Sequence, residues 1–288
     1  MKSKLYIDPA RCTRCGLCVK DCTVHALTCD ENGVHFAING ENICLNCQHC
    51  LAVCPNEALM INGVSPADCA PLAPPPAPET MLNLIRQRRS IRHFLPQALP
   101  PEIMDKLIES LNWTPTGCNA RGLQFFIAGP DEVASCREIT GKWLKRLIKS
   151  GIMGIFLPRY KRFFSAIMDG DDVIYRNAPH LIIVTVSKKS PCKHADPFIA
   201  LTQFDLMAQT LGVGTCWCGF AEYAFKLIPA LRRIAGVPQG HKIGAAMLFG
   251  PPAVNYQRST APAPLPVRLP KNKTTPPGYP DGAAAQIR

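Results

Sequence analysis

Within its first 54 residues the chain writes one cysteine pattern twice: Cys12-x-x-Cys15-x-x-Cys18-x-x-x-Cys22 returns 32 residues later as Cys44-x-x-Cys47-x-x-Cys50-x-x-x-Cys54. The likeness continues beyond each last cysteine, with Ala26-Leu27 standing where Ala58-Leu59 stands in the second half. Self-similarity at a fixed offset marks a duplicated module. Fifteen cysteines in 288 residues raise the question of disulfides. Disulfide scaffolds, however, are short secreted chains carrying an export signal, and the start Met1-Lys-Ser-Lys-Leu-Tyr-Ile7 has no apolar run long enough to be one. The longest clean apolar run, Leu181-Ile-Ile-Val-Thr-Val186, is far short of the ~20 residues a membrane helix needs. The expectation is a cytoplasmic protein with reduced cysteines and no stable membrane insertion.

Three thiolates at C-x-x-C-x-x-C on a tight loop can wrap three corners of a cuboidal iron–sulfur cluster; the cysteine three residues further on then ligates the other cluster. On that logic Cys12, Cys15, Cys18 and Cys54 hold one [4Fe–4S] cluster, and Cys44, Cys47, Cys50 and Cys22 hold a second. Zinc sites use paired C-x-x-C knuckles rather than four cysteines twice in this spacing. The stretch from about 4 to 62 resembles the bacterial two-[4Fe–4S] ferredoxin family. One departure is Thr23, where the family has proline; Pro55 keeps it in the second half. Asn32-Gly33 between the halves carries a hairpin signal. A module of this size buries little core and leans on metal to fold.

Two proline-rich stretches divide the rest. Residues 65–78 read as a semi-rigid extended linker, and residues from 251 onward as an arm running into a frayed tail. Between them, apolar positions 103, 104, 107, 108 and 111 predict a helix over 99–113, and 197–211 reads as a second, ending at Gly212 as its cap. Strands are expected at 124–128, 181–186 and 242–249. Long helical segments between strands point to an α+β fold, helices packed around a central mixed or antiparallel sheet. The division is 1–64 as the cluster module, 65–79 linker, 80–260 main domain and 261–288 arm and tail.

In the main domain, Arg88-Arg-Ser-Ile-Arg92 gathers three guanidinium groups and a hydroxyl, a set suited to a phosphate. Pro115-Thr-Gly-Cys-Asn119 is a small-residue turn before a strand, and Leu211-Gly-Val-Gly-Thr-Cys-Trp-Cys-Gly219 follows a helix. With Ala178-Pro-His180 and Gly250-Pro-Pro252, these segments resemble, in order and spacing, the FMN-dependent nitroreductase family over about 80–260. The resemblance implies that Arg88, Arg89, Ser90 and Arg92 hold the FMN phosphate, ribityl chain and pyrimidine edge. It implies that Pro115, Thr116 and Asn119 line the ring system, with the Asn119 amide bonded to it. Backbone at Trp217, Cys218 and Gly219 would approach N5, and Arg258 would reach the phosphate from the C-terminal arm. Departures are Ala261-Pro-Ala-Pro264 where the family has a further basic residue, and Arg121 where it often has glutamine. Gly212 and Gly214 follow a helix, not a strand, and lack the third glycine of a dinucleotide fingerprint.

The net charge of +11 lies outside the cluster module, where five Lys/Arg meet six Asp/Glu, a balance of −1. Clusters and a flavin phosphate would lower it further, so nucleic acid is not expected as a partner. The seven histidines read as surface or packing residues, and Cys118, Cys216 and Cys218 as buried small hydrophobes. Residues 143–168, apolar and basic, read as a cap over the pocket or a dimer contact, with a plain solvated helix face or a membrane-surface contact as the alternatives.

Together these features imply an oxidoreductase that passes single electrons through two clusters to FMN for two-electron reduction of a nitroaromatic, quinone or enone-like acceptor. An external ferredoxin or other single-electron donor would feed it, and the resemblance implies a homodimer. No side chain is compelled as a catalytic acid. Two alternatives stay open: an electron-transfer or redox-sensing flavoprotein, and a flavin dehydrogenase running electrons from substrate to clusters.

Overall fold

A computed structural model describes residues 2–150 and 161–266. The chain divides into two units, Met1–Tyr256 and Gln257–Arg288. In the second, residues 257–266 are exposed and without regular structure. The part of the predicted cap between 151 and 160 lies outside the described residues, and no described helix is long and apolar enough to cross a membrane.

The cysteine module is closed by its two ends. Strand β1 (Leu5–Ile7) pairs antiparallel with β4 (Leu59–Ile61). Between them β2 (Leu27–Asp30) and β3 (Gly33–Phe36) form the expected hairpin, its loop fixed by Asp30 Oδ1 accepting from Asn32 N. Single-turn helices α1 (Leu17–Lys20), α2 (Gly40–Ile43) and α3 (His49–Ala52) fill the loops. The duplication extends to the backbone. Positive φ occurs at Arg14 and Asn46, at Gly16 and Gln48, and at His25 and Glu57, each pair 32 residues apart. Leu51, Leu59 and Ile61 form the buried centre of this module's hydrophobic cluster, with Leu5, Ile7, Phe36 and three of the cysteines packed around it, and Ala26, Leu27, Val34 and Ala58 are buried beside them. So small a centre supplies little folding free energy without metal.

The linker is less uniform than its prolines suggest. Ser65 and Asp68 cap a short 3-10 turn at Pro66–Asp68, and Pro78 opens α4 (Pro78–Gln87). Proline is at home in a first helical turn, where its missing N–H has no partner to lose.

The main fold contains α5 (Pro101–Asn112), β5 (Leu123–Ala128), α6 (Pro130–Lys149), α7 (Lys161–Asp169) and β6 (His180–Ser187). These are followed by α8 (Asp196–Thr210), β7 (Gly214–Trp217), α9 (Gly219–Leu227), α10 (Pro229–Ile234) and β8 (His241–Gly250). Strand order is β5-β6-β8-β7, antiparallel at every pairing, with Ser90 and Thr215 forming an isolated parallel bridge. The three expected strands each gain a residue at one or both ends; β7 was not expected. Central β6 is buried on both faces. Leu181 and Ile183 enter a core with Cys136, Phe225 and Leu231, whereas Ile182 and Val184 enter another with Leu107, Leu201 and Phe204. Helices therefore cover both sides of the sheet, which explains why β6 reads as a continuous apolar run. Gly212 holds φ +70 just past α8, the cap role predicted for it.

His180, read from sequence as a packing residue, is buried against Phe249 with ring centroids 5.0 Å apart. Its Nε2 accepts from Leu99 N at 2.9 Å, which leaves Nδ1–H to face Ala128 O at 3.3 Å. Burial holds its pKa below the usual histidine value of about 6.5. Folding thus favours the neutral ring. The associated stability is present above the unfolded value and is lost as pH falls through about 6.5 towards the lower folded value. A His180→Phe protein is expected to lose about 1–3 kcal/mol from the orphaned Leu99 N–H and to flatten that part of the pH–stability curve. Denaturant midpoints of the holoprotein between pH 5 and 8 check both.

Candidate redox site

Cys12, Cys15, Cys18 and Cys54 line one pocket, together with Leu17, Val34, Asn56 and Leu59. Cys54 is brought there by α3 and the turn before β4, across the module from the loop that carries the other three. Equivalent turns are held in the same way: Ala26 N donates to Cys22 Sγ at 3.2 Å and Ala58 N to Cys54 Sγ at 3.4 Å. Burial pushes the Cys18 thiol up, and Cys54 and Cys15 add to the shift. Cys50 is pushed up to about 12 by burial, with Cys44, Cys47 and Cys18 as further causes. Each thiol thus has members of its own predicted set as electrostatic neighbours, and iron would supply the positive charge that lets them ionise. Among the described residues no three His, Cys, Asp or Glu side chains converge on a single ion. The gathering of Cys12, Cys15, Cys18 and Cys54 at one pocket matches the crossed ligand set predicted for a cluster.

Two of the three predicted flavin segments meet at one edge of the sheet. Ile91 N donates to Thr215 O at 2.7 Å, which lays residues 88–92 along β7. The approach needs Gly214: a Cβ there would stand 2.8 Å from Ile91 Cγ1. Arg88 Nη1 is 3.4 Å from Asp205 Oδ2, an ion pair without hydrogen-bond geometry. Nη1 of Arg88 and Nη2 of Arg89 are therefore buried donors with no hydrogen-bond partner, in the segment predicted for a phosphate. Buried unpaired donors are costly, and a bound anion is one means of satisfying them. Arg92 and Arg176 lie close enough to Cys216 to pull its thiol pKa down against a larger upward push from burial. Cys218 begins α9 by accepting from Ala221 N and is pushed up to about 12, chiefly by burial. Both thiols stay neutral. Trp217 stacks on Phe198, ring centroids 5.7 Å apart.

The third segment lies elsewhere. The turn at 115–119 precedes β5, the opposite edge of the sheet from β7. Three non-glycine residues in and beside it, Cys118, Asn119 and Arg121, hold positive φ, conformations that persist only where surrounding bonds over-determine them. Here Gly117 N donates to buried Asp196 Oδ1, Arg121 N to Thr116 Oγ1, and the Arg121 guanidinium to the carbonyls of Asn112 and Thr114. Asn119 Nδ2 donates to Leu45 O at 3.1 Å and Asn46 O at 2.9 Å, both in the second cysteine loop. Cys118 is exposed rather than buried as expected, whereas Cys216 and Cys218 are buried. Arg258 lies in the second unit.

Asp205 was missed by sequence reasoning, although it is buried, accepts from Thr215 Oγ1 and pairs with Arg88. Its signal was a carboxylate set between Phe204 and Leu206 in the middle of α8.

Residues 85–251 match the model of the nitroreductase family, and residues 5–28 that of a 4Fe-4S binding domain. An uncharacterized ferredoxin of Methanocaldococcus jannaschii is 37% identical over 68 residues, covering 23% of this chain and 87% of that one. Among solved structures, an FMN-dependent nitroreductase from Clostridium difficile R20291 aligns with TM-score 0.53 and 18% identity over 65% of this chain and 98% of its own. A nitroreductase with bound FMN from Bacteroides fragilis NCTC 9343 gives 0.51 and 21% over 66% and 98%.

Proposed function

The chain belongs to the nitroreductase family, with a ferredoxin-type 4Fe-4S module ahead of the family fold, and we propose that it is an iron–sulfur flavoenzyme that collects single electrons and delivers them in pairs to a small organic acceptor. The acceptor class is a nitroaromatic, quinone or enone-like compound, and an external one-electron carrier feeds the ferredoxin module. The observation that carries this reading is the hydrogen-bonded contact between the Cys44 loop and the turn at 115–119, which sets a cluster loop against the nitroreductase fold. A nitroreductase fed directly by a two-electron donor has no need of that contact.

In this reading Cys12, Cys15, Cys18 and Cys54 hold one [4Fe–4S] cluster and Cys22, Cys44, Cys47 and Cys50 the other. FMN, named in both structural neighbours, is the flavin. Its phosphate and adjoining chain fall to Arg88, Arg89, Ser90 and Arg92, and its ring to Pro115, Thr116, Asn119, Trp217, Cys218 and Gly219. Functional parts follow 1–64, 65–79, 80–260 and 261–288. When bound, the clusters supply one-electron carriage and the flavin the conversion between one- and two-electron chemistry. The chain's own residues bind and orient. Arg89 presents an unpaired guanidinium edge, Asp205 fixes Arg88, and the Cys218-capped start of α9 fixes the backbone beside the ring. The buried thiols of Cys216 and Cys218 keep their protons, no side chain is compelled as the acid, and solvent is the proton source in this reading.

A homodimer sharing its flavins between subunits is part of the proposal. The segments at 88–92 and 115–119 are tied to opposite edges of a four-stranded sheet, roughly 14 Å apart at about 4.8 Å per strand. Beside Gly219, α9 also exposes Phe220, Tyr223 and Leu227 as an apolar stripe.

The test is anaerobic stopped-flow. Chemically pre-reduced protein should be reoxidised rapidly by a nitroaromatic or a quinone, with cluster and flavin absorbance returning together. Indifference to every small acceptor would leave electron relay as the function and end this one.

A further inference from the structure

The Leu45–Asn46 peptide is engaged on both sides. Its carbonyl accepts from Asn119 Nδ2 at 3.1 Å, and its N–H, that of Asn46, points at Cys44 Sγ at 3.4 Å. The next carbonyl, Asn46 O, accepts from the same Nδ2 at 2.9 Å. A carboxamide nitrogen has two hydrogens, so both Asn119 donors are committed to this loop. A donor drawn onto a peptide carbonyl polarises the peptide and strengthens its N–H as a donor in turn. The Asn119 amide is therefore felt at the Cys44 sulfur although it does not touch it. Hydrogen bonds to cluster sulfurs are among the factors that set reduction potential, and partners behind the ligands tune the metal through them. Such bonds favour the reduced cluster, which carries the extra negative charge.

Both ends of this link are held rigidly. Asn46 keeps positive φ while its Oδ1 accepts from Asn62 Nδ2 at 2.8 Å, and Asn62 Oδ1 accepts from Lys4 N. Asn119 keeps positive φ inside a turn tied to Asp196 and to the carbonyls of Asn112 and Thr114. Contact between two so constrained backbones fixes one geometry.

We propose that Asn119 is a positioning residue for the cluster of Cys22, Cys44, Cys47 and Cys50, raising that cluster's reduction potential through the Leu45–Asn46 peptide. This rests on the function proposed above, since it needs the clusters to be present. It gives Asn119 a role distinct from lining the flavin, and makes the Cys44 loop the point at which the two modules sense one another.

The test is an anaerobic redox titration followed by EPR and by flavin absorbance, on the full holoprotein and two variants. Asn119→Gly keeps the positive φ without the amide; Asn119→Asp keeps the shape but replaces both donors with acceptors. In each, the midpoint of one cluster should fall by about a tenfold change in its reduction equilibrium, about 59 mV for a one-electron couple. The other cluster's midpoint should stay in place, whatever the substitution does beside the flavin ring. The same fall should persist in a Cys54→Ala background, where only the Cys44-loop cluster remains. Unmoved cluster midpoints, equal movement of both, or a change confined to flavin spectrum and affinity would each overturn the proposal. A wild-type protein with no cluster signal overturns the underlying function as well, and is told apart by being seen before any substitution.

Discussion

A Cys54→Ala protein is expected to retain one cluster and lose the other, and the cluster lost is the one attached to the loop of Cys12, some 40 residues away in sequence. The reason is the shared cavity: Cys54 faces Cys12, Cys15 and Cys18 rather than the cysteines nearest to it in the chain. Iron and acid-labile sulfide per chain should fall by about half. The identity of the missing cluster is read by matching spectra. Cys54→Ala should leave the same EPR signal as Cys15→Ala, while Cys22→Ala should leave the same signal as Cys47→Ala. Pairing by sequence neighbourhood, with Cys54→Ala resembling Cys47→Ala, would disprove the crossed assignment. The structural cost should also be large, because the buried centre of Leu51, Leu59 and Ile61 is small and the cavity walls are held by the ligands. Partial unfolding of residues 1–64, seen as new protease sites before Pro66, is the expected companion effect.

What the sequence made legible was whatever local spacing encodes. The 32-residue offset of the cysteines recurs in the positive-φ positions of both halves, because ligand spacing and loop shape are one constraint. The apolar run at 181–186 became the doubly buried β6, since a strand covered on both faces has no polar side to betray its period. The segment at 214–217 failed as a strand prediction for the opposite reason. Gly-Thr-Cys-Trp is too short and too small to show alternation, and its pairing with β8 comes from tertiary placement. Asp205 was hidden inside the apolar pattern of α8, although a buried carboxylate there has Arg88 and Thr215 as its explanation. The contact of Asn119 with Leu45 spans 74 positions. Nothing in either local pattern encodes how two modules dock, so a resemblance could give Asn119 a family role but not its partner in this chain.

The second large effect concerns Arg89. Replacing it with glutamine is expected to weaken FMN binding to the flavin-stripped protein by about 10- to 150-fold, the worth of one hydrogen bond to a charged group. Arg89 is the cleaner of the two half-buried arginines to remove. Arg88 neutralises Asp205, so truncating it leaves a buried carboxylate short of its partner and mixes stability with binding. Arg89 spans no such pair: its Nη1 donates to Arg88 O at 2.7 Å, while Nη2 is buried with nothing to bond. If that atom waits for phosphate, its loss should penalise FMN and spare riboflavin, which has the same ring and no phosphate. Fluorescence titration with both flavins separates the cases. Wild type should prefer FMN strongly, and Arg89→Gln should lose most of that preference by weakening FMN alone. Equal weakening of both flavins would mean that Arg89 shapes the pocket instead, and the anion site would have to be sought away from residues 88–92.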